Sequence, residues 1–112
     1  MVDRLAMLEK MAAQRQDDPF PQYGLAMEYR KLKRFDESWA AFEVLFARHP
    51  SYVPSYLMAG NVLVELGRPE QAKDVLSRGI EAASAAADDH ARSELQAALA
   101  ELEDPGADAD DI

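Results

Sequence analysis

The sequence predicts an all-α protein, a superhelix of antiparallel helix pairs with about five helices. Three observations point there. Apolar residues recur at spacings of three and four along most of the chain. A shift of 34 residues lays one stretch over the next with size and polarity kept. Prolines and one glycine punctuate the apolar stripes where helices should start and stop. A chain of 112 residues, 48% apolar, is long enough for a single domain with its own core.

The elements follow in order. Leu5, Leu8, Met11 and Ala12 form an amphipathic stripe ahead of the first copy. In the frame of the period, this is the second helix of a unit whose first helix is missing. Asp18–Pro19 then opens a helix over about 20–32, with Leu25, Tyr29 and Leu32 on one face. "KRFD" is a short polar turn, and Asp36 sits near the start of the next helix, where acids are favoured. That helix, about 36–48, carries Trp39, Phe42, Leu45 and Phe46 and is stopped by Pro50. Val53–Pro54 opens a helix over 54–66; Gly67 ends it, and Pro69 opens the next, over 69–83. Ala91, Leu95, Ala98, Leu99 and Leu102 mark a last helix over about 88–103. It is expected to cover the open apolar end, since stacked arrays need a cap. The tail from 104 to 112, rich in Asp with one Pro and one Gly, is expected to be disordered. The domain then spans 1–103, with repeats at 19–52 and 53–86 and the capping helix at 87–103.

Under the 34-residue shift, Tyr23 meets Leu57, Ala26 meets Gly60, and Tyr29 meets Leu63. Further on, Phe42 meets Leu76 and Phe46 meets Ile80. Each copy is a helix pair that cannot bury its apolar side alone, so the copies must stack. The small residues Ala26 and Gly60 mid-way along the first helix, and Ser38 and Ala72 early in the second, complete the pattern. So do Glu37 and Gln71, and the "RHP" that ends the first copy. With these residues in these places, the chain resembles the tetratricopeptide repeat family. It departs from the family at the usual first-helix Trp, here Gln22 and Tyr56, and at Leu45, where the second copy has the small Gly79.

Composition narrows the function. Cysteine is absent, which excludes disulfides, thiolate metal sites and a cysteine nucleophile. No stretch is apolar for long enough to span a membrane, and the N-terminus lacks the basic start and apolar run of a signal peptide. The cytoplasm is the default compartment. Residues 1–50 are neutral overall, and residues 51–112 carry the whole net charge of −9. Such a chain repels phosphate backbones, so no nucleic acid is expected as a partner. The local cluster Arg30, Lys31, Lys33 and Arg34 reads as a solvated helix end.

No catalytic constellation stands out. His49 precedes Pro50 at a helix end. His90 and Glu94, one turn apart, are two metal ligands without a third. No Gly-x-Ser-x-Gly turn or Gly-rich phosphate loop is present, and no cofactor is expected.

The resemblance implies that the first helix of each unit lines a concave groove that receives a peptide or helix of a partner protein. Carried over by position, the exposed face would show Phe20, Tyr23, Met27, Arg30 and Lys31 in the first copy. In the second it would show Leu57, Met58, Asn61, Val64 and Glu65. A soluble protein rarely exposes so much apolar side chain on one face without use, and Met adapts to varied partners. The competing reading is that the N-terminal helix or the chain's own packing covers part of this face. The carboxylate clamp of chaperone adaptors in this family is not expected, because only Asn61 stands where a clamp residue would. The function read from the sequence is therefore a non-catalytic adaptor or scaffold module that binds protein. The alternatives are a homodimer built on the same face and, from another class, a metal-dependent enzyme using His90.

Overall fold

The computed structural model describes residues 3–104, and the expected disorder of the tail lies, from residue 105 on, outside them. Among the described residues there are six helices and no strand. They are α1 (Arg4–Gln14), α2 (Pro19–Lys31), α3 (Phe35–Arg48), α4 (Pro54–Glu65), α5 (Pro69–Ala85) and α6 (Asp89–Glu103). That agrees with the expected fold of about five helices: α1 and α6 flank two complete pairs, α2–α3 and α4–α5.

Local chemistry sets the helix starts. Asp3, Asp18 and Asp88 cap α1, α2 and α6, each side chain accepting a first-turn backbone N–H. Pro19, Pro54 and Pro69 occupy first helical positions, where a missing N–H removes no bond. The ends share one device. Lys33, Gly67 and Ala87 take left-handed backbone, with φ of 61°, 71° and 56°. The residue after each donates its N–H back to a carbonyl in the last turn: Arg34 to Tyr29, Arg68 to Leu63, Asp88 to Ala83. Only Gly67 enters this region without a Cβ penalty. The alanine-rich run after Ala82 carries α5 on to Ala85, past the expected end at 83.

Consecutive helices pack antiparallel from α1 to α6. In addition α2 packs on α4, and α4 on α6, whereas no backbone approach of that kind joins α1, α3 and α5. The even helices therefore form the tighter, inner layer, and the array curves around them. The core runs between the two layers. Phe42, Leu45, Leu63, Leu76 and Leu95 are fully enclosed, and Phe46 stacks on Tyr56 with ring centroids 4.7 Å apart. Buried polar groups are few and paired: the Ser38 hydroxyl donates to the Ala26 carbonyl (2.8 Å) and the Gln22 amide to the Ala41 carbonyl (2.9 Å).

Candidate functional site

The inner layer presents a trough whose walls are α2, α4 and α6. Three clefts lie along it. The first, about 340 Å³, is floored by Tyr23, Leu57, Met58 and Leu95 and rimmed by Asp88, His90 and Glu94. The second, about 420 Å³, runs between α4 and α6 from Asn61, Val64 and Glu65 to Glu101 and Leu102, with Arg30 at its edge. The third, about 430 Å³, lies on the α2 side against α1 and gathers Tyr23, Met27, Arg30 and Lys31 with Arg4 and Glu28.

Most of the face expected from the sequence is brought together here. Tyr23, Met27, Leu57, Met58 and Arg30 are half-buried, and Lys31, Asn61, Val64 and Glu65 are exposed. Phe20 is the exception. It is 68% exposed and lines none of these clefts. Its ring meets Tyr52 edge-on at 5.9 Å, at the mouth of the array beside the loop between the repeats. Tyr23 in turn packs edge-on against Tyr52 (5.4 Å) and Phe42 (6.3 Å), which holds its ring at the trough wall. Burial pushes the Tyr23 phenol above its ordinary pKa, with Arg30 pulling the other way, so the hydroxyl stays neutral at pH 7.

The third wall was not foreseen. The sequence reading treats the last helix as a cap. It does cover α5, but its other side completes two of the three clefts. The signal was in the period: 34 residues beyond Leu57 stands Ala91, at the matching place on α6. The helix α1 covers part of the face at its α2 edge, and the chain's own packing half-buries Tyr23, Met27, Leu57 and Met58. The α1 helix packs on α2 through Leu8, reaches the trough with Arg4, and pairs that guanidinium with Glu28 at 3.0 Å.

Each histidine has one partner within the fold. The His49 ring nitrogen lies 2.9 Å from the Gln16 carbonyl and ties the loop before α2 to the end of α3. His90 Nε2 lies 3.1 Å from Glu94 Oε1, on the rim of the first cleft. Among the described residues, no three His, Asp or Glu side chains converge in a way that could hold a metal ion. Nor is any helix among them long and apolar enough to cross a membrane. The cationic cluster is partly spent on the fold: Arg34 forms two 2.6 Å bonds to Glu37 and lies over the Tyr29 ring.

Comparison with known proteins agrees with this architecture. The family model for the tetratricopeptide repeat matches residues 53–85. A search of curated proteins gave no match. A tetratricopeptide repeat domain protein from Salinibacter ruber, solved in solution, is 36% identical, with a TM-score of 0.74 over 78% of this chain and 88% of that one. Its crystal structure gives 36% identity and a TM-score of 0.72, covering 77% of this chain and 97% of that one. A Bordetella parapertussis protein solved in solution is 25% identical, with a TM-score of 0.79 over 96% of this chain and 93% of that one. Paired helices stacked at a 34-residue period, small residues at the helix contacts and these likenesses lead to one conclusion: the chain belongs to the tetratricopeptide repeat family.

Proposed function

We propose that the chain is a protein-binding module whose trough, walled by α2, α4 and α6, receives a peptide or helical segment of a partner. Members of the tetratricopeptide repeat family generally mediate protein–protein interactions and are typically non-catalytic. The observation that carries the reading is the floor of the trough. Tyr23, Met27, Leu57 and Met58 are neither enclosed in the core nor scattered, but line adjoining clefts. A segment laid there removes this apolar surface from water at about 25 cal/mol per Å². Aromatic and Met side chains are the types that carry interface energy and tolerate varied ligands.

The test is affinity capture with the folded chain, identification of what stays bound, and repetition with Tyr23→Ala combined with Met58→Ala. The double variant should keep its helical circular dichroism and lose at least tenfold in affinity, because two floor contacts each contribute on the order of 1 kcal/mol. Unchanged affinity would refute the groove reading. Light scattering over a concentration range addresses self-association on the same face. Affinity capture competes with it only if the chain dimerises.

A further inference from the structure

We propose that the stretch of ligand lying in the two clefts along α6 is basic: an apolar anchor flanked by lysine or arginine side chains about 10 Å apart, the cations Arg4, Arg30 and Lys31 being gathered in the third cleft on α2. The inference rests on the groove reading above and adds the charge of the ligand. The first cleft has an apolar floor, and its charged rim comes from α6 and the residue that caps it. Asp88 and Glu94 stand on that rim, and no Lys or Arg lines the cleft. The Asp88 carboxylate is already engaged by the Ala91 N–H. Glu94 has a half-exposed side chain, with only the His90 ring beside it.

The second cleft continues the pattern. Glu65 and Glu101 lie on its α4 and α6 walls, and its one cation, Arg30, comes from the far wall on α2. Glu94 and Glu101 are seven residues apart on α6, about 10 Å along the helix axis. A helical segment covers that distance in about seven residues. Basic side chains at that spacing share one face and would meet both carboxylates, while an apolar residue three or four positions along the same face enters the floor. An acidic segment in the same trough would face Glu65, Glu94 and Glu101 at close range. The wider field acts the same way, since residues 51–112 hold the entire net charge of −9. Rim pairs of this kind set partner choice and encounter rate more than raw affinity.

The experiment pans a random peptide library, displayed on phage, against the full chain and against E94Q/E101Q. The full chain should select an apolar residue flanked by Lys or Arg. E94Q/E101Q should bind those peptides roughly tenfold more weakly, since each exposed pair is worth a few-fold, and E94K/E101K should select acidic sequences instead. The preference should also fade as salt shortens the screening length. Circular dichroism checks that each variant is folded, and both glutamate pairs exchange exposed side chains. A neutral or acidic consensus, no consensus, or a basic consensus that E94Q/E101Q binds equally well would overturn the proposal. L57A/M58A separates the two levels. Selected peptides of any charge that lose binding to it leave the groove in place and decide the charge alone. Peptides that bind it unchanged refute the groove reading and the proposal together.

Discussion

The two repeats build one architecture with different joints. In α2–α3, the helices are tied by polar side chains: Ser38 bonds the Ala26 carbonyl, and Gln22 bonds the Ala41 carbonyl one turn before the enclosed Leu45. In α4–α5, the counterpart of Gln22 is Tyr56, that of Ser38 is Ala72, and that of Leu45 is Gly79. A Cβ on Gly79 would stand 2.5 Å from the Cβ of Tyr56 and 3.0 Å from the side chain of Leu95. The first joint combines a medium polar group with a leucine, and the second an aromatic ring with nothing at all. At the second joint, the Tyr56 side chain occupies the space that a side chain at position 79 would need. In the second repeat, the space left by Gly79 also lets Leu95 of α6 close in, which is how α6 becomes the third wall of the trough.

The sharpest way to break this comparison is to put the leucine of the first joint into the second. Gly79→Leu should lose about 3 kcal/mol or more, read by thermal or urea unfolding. The obstacle at Tyr56 sits next to backbone and cannot swing away. Adding Tyr56→Gln should recover part of that loss, and a double-mutant cycle would expose the coupling. Full additivity would deny that the two positions share one volume. A smaller effect is expected from Ser38→Ala, about 1 kcal/mol, the net worth of one buried hydrogen bond.

The turns carry the same contrast. Gly67 and Lys33 occupy matching left-handed positions. Gly67→Ala should destabilise by about 1 kcal/mol, and Lys33→Gly should stabilise by about 0.5 kcal/mol, because only a residue without Cβ takes this conformation freely. The least effect is expected at the entry to α3. There the hydrogen bond from Arg34 holds the Glu37 carboxyl below its ordinary pKa of 4.5. A depressed carboxylate stabilises the fold above its unfolded pKa, and that contribution fades as pH falls through the folded value. The small difference in melting temperature between the parent and Arg34→Gln should therefore be present at neutral pH and close below about pH 4.5. A gap that persists in acid would assign it to the Arg34–Tyr29 stacking instead.

Helices were legible because their signals are local. Prolines at first positions, aspartate caps and stripes of Leu, Phe and Tyr each act within a turn or two, and every predicted boundary lies within two residues of the observed one. The period made the pairing legible as well. What the period could not convey is any property shared between positions. Comparing Leu45 with Gly79 alone reads as a mismatch, and only the neighbours Gln22 and Tyr56 resolve it. The same limit hid the third wall. The face of α6 carries small and acidic residues, Ala91, Glu94 and Ala98, and these become a groove lining only once Gly79 admits Leu95. Phe20 shows the limit in another way: helical spacing places it with Tyr23 and Met27, but its ring packs on Tyr52, a loop residue outside any stripe, and that contact is not written in the period.

The central claim is that ligands use the inner layer, not the outer one. The outer layer supplies its own control, since Trp39, Phe46 and Arg78 form an aromatic and cationic patch there. The direct measurement is a backbone amide and methyl NMR titration of the labelled chain with a captured partner segment. Shift changes gathered on Tyr23, Leu57, Met58 and Glu94, with Trp39 and Phe46 unmoved, are the predicted result. Changes gathered on Trp39, Phe46 and Arg78, with the trough unmoved, would contradict it.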